Sequence, residues 1–331
     1  LTLAARNYAA RIDQFNRRNS QFLETESSLP TINYFITRKA EPPFNRQALL
    51  EILRALRSRQ NELISSYAIL NKEGINILDT ESANIGLDES KQEYFTALVN
   101  DADLKSYRSP VIFDEKQNYI VFSGAINDLS GKLIGVLRAK YDASILTSLF
   151  GRTKGMVGRG SFAVLLDENN LRLIHGRRVD LNFTLATTHD EEKMQQLIDS
   201  QRVPRDVTSL YVEQAEWLEK VQNINDRSPI METRFYGLGT IMFSAAVVKL
   251  NTAPWTIIVS LPQDVFMEPV VEQTKSTLML AGIIIFIVVL IVTVATQLLL
   301  GPVKRLTTVV KTIADGDTLE FSTGNVDLTI A

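Results

Sequence analysis

Apolar residues recur every three or four positions over about residues 1–38, which is the period of one face of an α-helix. Pro30 lacks a backbone N–H and interrupts this stretch, so we expect a long helix that is kinked or broken there. A second apolar stripe predicts a helix over about residues 45–63, with Asn45 as its N-cap. The residues of the two stripes are Ile12, Phe15, Phe22, Leu23, Ile32, Phe35 and Ile36, followed by Leu49, Ile52, Leu53 and Leu56.

From about residue 64 the pattern changes to short runs that are rich in β-branched and aromatic residues. Turn residues separate the runs at Asn71–Gly74, Asp114–Asn118 and Asp128–Gly131. We therefore predict antiparallel strands in an α+β domain that ends near Phe150. The predicted strands cover residues 65–70, 75–80, 109–113, 119–126 and 133–141.

A glycine-rich linker over residues 151–160 precedes a second series of strand patterns. The turn Asp167–Asn170 predicts a hairpin, and a helical stretch and two closing strands follow it. These elements predict a second, smaller sheet domain. They cover residues 161–166 and 171–175 for the hairpin, about 191–223 for the helical stretch, and 239–249 and 254–261 for the closing strands.

Residues 277–300 contain no charged side chain. A helix of this length spans roughly 36 Å, which exceeds the ~30 Å hydrocarbon core of a bilayer, so the pattern predicts a transmembrane helix. Lys304, Arg305 and Lys311 follow it directly. The positive-inside rule then places the C-terminus in the cytoplasm and residues 1–276 outside, in a cell (inner) membrane. We also expect an earlier anchor before residue 1.

The composition excludes several classes of site and indicates no catalytic centre. Among 331 residues there is no cysteine, which excludes disulfides and thiolate metal sites, and the net charge of −3 offers no basic surplus for nucleic acid. His175 and His189 are the two histidines, and each is better explained as a structural or surface residue than as a ligand. Serine-hydrolase, phosphate-loop and zinc-protease motifs do not occur. We therefore expect no cofactor, no metal and no enzymatic activity in this chain.

The order of these elements resembles the bacterial double Cache (dCACHE) extracytoplasmic sensor region over about residues 1–270. Tyr94-Phe95 after Gly86-Leu87-Asp88, Ser109-Pro110 and the strand Gly135–Asp142 carry the resemblance in the first half, and Pro254-Trp255 and Leu261-Pro262 carry it in the second. It implies a long N-terminal helix with two PAS-like antiparallel-sheet domains. The implied boundaries are 1–63 for the N-terminal helices, 64–150 for the membrane-distal domain, 151–270 for the membrane-proximal domain, 277–300 for the transmembrane helix and 301–331 for a partial HAMP module.

The segment after the apolar helix resembles the first helix of a HAMP relay module. Leu306, Val310 and Ile313 are spaced by four and three residues, which is the spacing of a coiled-coil seam. Pro302 precedes the seam, and Gly316-Asp317 resembles the glycine exit of the module. HAMP modules form parallel dimeric bundles, so the resemblance implies a homodimer.

Strand alternation places Val136, Arg138, Lys140 and Asp142 on one face of the last strand of the first domain. In the resembling family an aspartate at the end of this strand often meets the amino group of a ligand. An arginine two positions before the aromatic pair meets the carboxylate in amino-acid-binding members. Gln92 stands at that position here, which removes the usual fork for a carboxylate.

Three ligand hypotheses remain open. Asp142 could hold an amine within aromatic walls formed by Tyr94, Phe95, Tyr107 and Phe122. Arg138 or Arg108 could clamp a small carboxylate. Alternatively, the pocket is vestigial and a ligand-binding protein brings the signal. In each case we expect a sensor that signals through the membrane to a histidine kinase, chemoreceptor, cyclase or phosphatase effector outside this sequence, with a membrane-anchored adhesion scaffold or an anchored extracellular enzyme as alternatives.

Overall fold

Eight α-helices and ten β-strands form within the part of the chain that the structure, a computed structural model, describes: residues 1–37, 46–60, 63–115, 117–151, 155, 157–207, 212–213, 215–224 and 229–314. The helices are α1 (Thr2–Ser27), α2 (Pro30–Thr37), α3 (Arg46–Gln60), α4 (Glu93–Asn100), α5 (Ser144–Phe150), α6 (Glu191–Asp199), α7 (Ala215–Asn223) and α8 (Gln263–Ala314). The strands are β1 (Ile64–Asn71), β2 (Asn76–Asp79), β3 (Ser106–Phe113), β4 (Asn118–Asn127), β5 (Leu133–Asp142), β6 (Phe162–Leu166), β7 (Arg172–His175), β8 (Ile230–Thr233), β9 (Phe243–Lys249) and β10 (Thr256–Pro262).

The strands form two five-stranded antiparallel sheets with the same connectivity. The first has the order β2-β1-β5-β4-β3 and the second has the order β7-β6-β10-β9-β8. We call residues 64–150 the first module and residues 157–262 the second module. Both belong to one compact unit that covers residues 1–266. The mixed helix and sheet class with two antiparallel sheets, predicted from the sequence patterns, is confirmed.

Helix α1 packs against the sheets of both modules, because its apolar stripe faces them. Ile12 and Leu23 are fully buried in the core that α1 shares with the two sheets. Its backbone comes so close to β4 that a Cβ at Gly124 would overlap the carbonyl oxygen of Leu23, so only glycine fits there. Helix α1 ends at Ser27 and α2 begins at Pro30, as predicted for a break at the proline.

Asp13 on α1 fixes the turn between β9 and β10. Its carboxylate accepts the backbone N–H of Thr252 at 2.9 Å, the Thr252 hydroxyl at 2.6 Å and the backbone N–H of Asn251 at 3.1 Å. Burial opposes ionisation of Asp13, but these hydrogen bonds outweigh it and lower the pKa of the carboxyl below its usual value. The turn leads into β10, and α8 begins at the next residue after β10.

The second module differs from the prediction in its helical stretch, in its edge strand and in the start of β9, which lies at Phe243 and not at residue 239. The helical stretch predicted over residues 191–223 is two separate helices, α6 and α7, and Pro204 lies in the segment between them. The edge strand β8 was missed because it has only four residues, of which two are exposed. In the first module, β3 begins three residues earlier than predicted. Asn45, Gly316 and Asp317, named above for a helix cap and a relay exit, lie outside the described residues.

Helix α8 has 52 residues and contains the predicted apolar segment. An 18-residue window within it has a mean hydropathy of 3.2, and none of that window is buried. The helix is therefore long and apolar enough to cross a membrane. Pro302 lies inside α8, where the helix continues to Ala314.

Candidate functional site

The sheet of the first module has two covered faces, and the candidate site lies on the face that α4 covers. Tyr94, Phe95 and Leu98 of α4 pack on Val121 and Val136 of the sheet. The opposite face packs against α1 through Leu137, Ala139 and Tyr141 of β5. Because neighbouring side chains of a strand point to opposite faces, Arg138, Lys140 and Asp142 belong to the α4 face together with Val136.

Arg138 lies at the centre of a buried polar cluster on this face. Its guanidinium is 2.9 Å from a carboxylate oxygen of Asp79 and 3.0 Å from one of Glu89. It also donates a hydrogen bond of 2.8 Å to the hydroxyl of Ser66. Ala68 pairs with Asp79 on one side and with Arg138 on the other, so a small side chain separates them and the guanidinium reaches across it.

The hydroxyl of Tyr94 and the amide N–H groups of Asn76 donate to the same two carboxylates. The Tyr94 hydroxyl donates to Glu89 at 2.7 Å, and the amide of Asn76 donates to Asp79 at 2.9 Å and to Glu89 at 3.1 Å. We call Ser66, Asn76, Asp79, Glu89, Tyr94 and Arg138 the Arg138 cluster.

The two carboxylates keep the guanidinium of Arg138 charged and bound within this cluster. Burial opposes the charged form, but the neighbouring carboxylates of Glu89 and Asp79 outweigh it and raise the pKa of the guanidinium above its usual value. Burial raises the pKa of Tyr94 well above its usual value, so this hydroxyl remains a hydrogen-bond donor. The cluster therefore pairs one cation with two carboxylates, and Arg138 already has acidic partners within the protein.

Lys140 is a second cation on the α4 face, and its surroundings differ from those of Arg138. Its ammonium lies 3.6 Å from the ring centroid of Tyr119, and the residue is half-buried. Within the described part of the chain it forms no ion pair. Burial first, and then the charge of Arg138, lower the pKa of Lys140 to about 8. Lys140 thus differs from Arg138 in having no carboxylate in direct contact among the described residues.

Three more predicted site residues also lie on the α4 face. Asp142 ends β5 opposite Tyr119, and its carboxylate accepts the backbone N–H of Ser144 at 2.8 Å where α5 begins. The side chain of Phe95, a residue of α4, is buried against the sheet. The Tyr107 hydroxyl donates a hydrogen bond to Glu93, the first residue of α4.

Phe122 and Arg108 lie on the opposite face of the sheet, which corrects the aromatic wall and the second clamp suggested by the sequence. Phe122 packs edge-on against Phe15 of α1 and against Tyr141, with ring centroids 5.6 Å and 5.5 Å away. Arg108 pairs with Phe122 across the two strands, and its guanidinium lies 4.7 Å over the ring of Trp255 in the second module. The alternation of β3 and β4 places both side chains away from α4.

Sequence reasoning missed Asp79, Glu89 and Ser66 as partners of Arg138. The signal for Asp79 was its place at the end of the hairpin strand β2. One sequence does not reveal that β1 lies between β2 and β5, so that Ala68 pairs with Asp79 on one side and with Arg138 on the other. Glu89 lies in the irregular connection before α4. This connection runs over the sheet and so brings the Glu89 carboxylate to Arg138.

A cleft of about 660 Å³ lies between the two modules. Phe113 of the first module and Phe183 of the second meet edge-on within its lining, with centroids 5.3 Å apart. Asp114, Glu115 and Arg205 contribute charge to its rim. Among the residues that the structure describes, no group of three or more histidine or acidic side chains is placed to hold a metal ion.

The duplicated sheets with a shared N-terminal helix define a class of sensor domain, and the comparison with protein families agrees. The dCache_1 family, described as a Cache domain, matches residues 1–270, so the chain belongs to this family. No curated protein matches the chain in sequence.

Solved structures of receptor sensor domains share the fold. The sensor domain of the Vibrio cholerae histidine kinase DctB matches with a TM-score of 0.57 at 12% identity, covering 77% of this chain and 93% of that one. The ligand-binding domain of the Campylobacter jejuni chemoreceptor Tlp3 with 4-methylisoleucine matches with a TM-score of 0.55 at 18% identity, covering 80% and 89%. The same Tlp3 domain with isoleucine matches with a TM-score of 0.54 at 17% identity, covering 80% and 91%.

Proposed function

We propose that the chain is the extracytoplasmic sensing and transmembrane signalling part of a bacterial receptor. A small polar ligand binds on the α4 face of the first module, which is the membrane-distal domain (residues 64–150). The membrane-proximal domain (residues 151–270), which contains the second module, passes the change to the membrane helix (277–300). Membership of the Cache family supports the sensor role, and the exposed apolar surface of α8 supports the membrane span. A homodimer, a HAMP relay over residues 301–331 and an effector of the histidine kinase, chemoreceptor or cyclase type complete the proposal.

The ammonium of the half-buried Lys140 carries the proposal for a ligand on the α4 face. Arg138 is held by two carboxylates of the protein, so Lys140 is the better partner for a ligand carboxylate. Asp142 lies two residues further on the same face and offers a carboxylate for a ligand amine. A carboxylate, an amine or an amino acid that uses both residues fits this pair, and the amino acids bound by Tlp3 are molecules of this kind.

Thermal unfolding of the full chain in lipid nanodiscs with a panel of amino acids, amines and small carboxylates tests this proposal. A ligand at 100 times its Kd should stabilise the sensing region by about 2.7 kcal/mol. Lys140→Met should remove most of the stabilisation by a carboxylate, because it deletes the cation that faces the ligand. Asp142→Asn should remove most of the stabilisation by an amine, because it deletes the carboxylate charge that faces the ligand. Lys132→Met, which removes an exposed lysine from a turn of the same module, serves as the control.

Two outcomes count against this site. A confirmed ligand whose effect survives both substitutions binds elsewhere, and the cleft between the modules is then the next location to test. A full panel without any stabilisation favours the alternatives, in which a binding protein brings the signal or the outer part is an adhesion scaffold.

The proposed topology places residues 1–276 outside the cytoplasm and the C-terminus inside. Because the chain has no cysteine, Leu129→Cys and Lys304→Cys each introduce a single thiol. Leu129 is fully exposed in the first module, and Lys304 lies on the C-terminal side of the apolar segment. A membrane-impermeant maleimide applied to intact spheroplasts should label the cysteine at 129 and not the one at 304. Equal labelling of both positions from one side would reject the topology.

A further inference from the structure

Glu93, the first residue of α4, connects the helix over the candidate site to the second module. One of its carboxylate oxygens accepts the hydroxyl of Tyr107 within the first module. The other lies 2.5 Å from the guanidinium of Arg202, which belongs to the segment after α6. The same guanidinium lies 3.2 Å from Glu168 in the turn between β6 and β7. Arg202 therefore bridges two carboxylates that belong to different modules.

The backbone around Arg202 is fastened to both modules as well. The carbonyl of Gln201 accepts the backbone N–H of Phe113, the last residue of β3, at 2.9 Å. The N–H of Arg202 donates to the carbonyl of Leu197 in α6 at 2.8 Å. The guanidinium thus projects from a segment whose backbone position is fixed on both sides. The planar guanidinium is preorganised for carboxylates, so little conformational freedom is lost for each hydrogen bond that it forms.

Burial distinguishes this bridge from a second ion pair between the modules. The side chain of Arg202 is 20% exposed, and those of its partners Glu93 and Glu168 are 50% and 30% exposed. Arg205 pairs with Glu115 at 2.7 Å, but these two side chains are 77% and 70% exposed. Exposed pairs contribute little, because solvent screens them and ordering long side chains costs entropy. Arg205 therefore provides a matched control from the same segment of chain.

We propose that Arg202 couples the position of α4 to the β6–β7 turn of the second module. A movement of α4 displaces Glu93, and Arg202 keeps both ion pairs only if Glu168 moves with it. The role of this coupling in signalling rests on the function proposed above, whereas the coupling itself can be measured without a ligand. Arg202 is a positioning residue in this proposal, since it lies outside the ligand-facing side of α4.

Hydrogen exchange measured by mass spectrometry on the full chain in nanodiscs tests the coupling. Ala97→Gly loosens α4 from within and leaves Glu93 and Arg202 in place, so exchange in residues 93–100 should rise about fivefold, as expected for alanine to glycine in a helix. If the modules are coupled, exchange in the β6–β7 turn, residues 167–170, should rise about two- to threefold in the same variant.

The same measurement in an Arg202→Gln background separates coupling from local stability. There Ala97→Gly should still raise exchange in α4 but should leave the β6–β7 turn unchanged relative to Arg202→Gln alone. In an Arg205→Gln background the turn should respond as in the wild type. A response of the turn that persists in the Arg202→Gln background overturns the proposal, and so does a turn that never responds to Ala97→Gly. Neither result bears on whether a ligand binds the α4 face, which the metabolite panel decides separately.

Discussion

Replacing Arg138 with methionine should destabilise the sensing region by about 3–5 kcal/mol. The substitution leaves the carboxylates of Asp79 and Glu89 buried without their shared cation, and removing one partner of a buried ion pair has a cost of this size. The expected loss is large because Arg138 is 2% exposed, so water cannot replace the guanidinium. Urea unfolding of the full chain in nanodiscs, followed by tryptophan fluorescence and circular dichroism, measures it.

The triple variant Arg138→Met, Asp79→Asn, Glu89→Gln should recover most of the lost stability. It removes all the charges of the cluster together, and a neutral core of similar volume is often as stable as a buried ion pair. Lys91→Met removes an exposed cation from the connection before α4 and should change the free energy of unfolding by less than about 0.5 kcal/mol. A loss of less than about 1 kcal/mol in Arg138→Met would mean that Arg138 is not the counter-ion of these carboxylates and is free to meet a ligand.

The fold was largely predictable because its signals are local. The break at Pro30 follows from the missing N–H of proline. The hairpins of both modules follow from turn residues between alternating runs, and Asp167 closes the β6–β7 turn by accepting the N–H of Asn169 and Leu171. The failures fall on short elements, since β8 has only four residues and the gap between α6 and α7 carries no strong pattern besides Pro204.

Only the part of the candidate site that lies on the single strand β5 could be predicted from the sequence. Alternation placed Arg138, Lys140 and Asp142 on one face of β5, and that face is the one under α4. The partners of Arg138 depend on pairing between strands that are far apart in sequence, which a single sequence does not encode visibly. The register of β3 is also irregular between Arg108 and Val111, so the faces of β3 side chains follow from the pairing with β4 and not from spacing alone.

The second module contains a buried histidine that the sensor proposal does not use. His175 is 1% exposed and stacks on Phe162 with ring centroids 5.1 Å apart. Its Nδ1 accepts the backbone N–H of Arg178 at 3.0 Å and of Arg177 at 3.3 Å. Burial first, and then the charge of Arg172, lower the pKa of His175 to about 4. The folded protein therefore holds this imidazole neutral at pH values where the unfolded chain protonates it.

The stability of the sensing region should consequently fall by about 3 kcal/mol more between pH 6.5 and pH 4 in the wild type than in His175→Asn. The folded pKa of about 4 lies below the ordinary value of 6.5, so the contribution of His175 is fully present above pH 6.5 and is lost as the pH falls towards 4. Asparagine does not titrate, and its Oδ1 can accept the same backbone N–H groups as Nδ1. Urea unfolding at half-unit pH steps measures the difference between the wild type and His175→Asn. Parallel curves for the wild type and His175→Asn would show that protonation of His175 is not resisted by the fold.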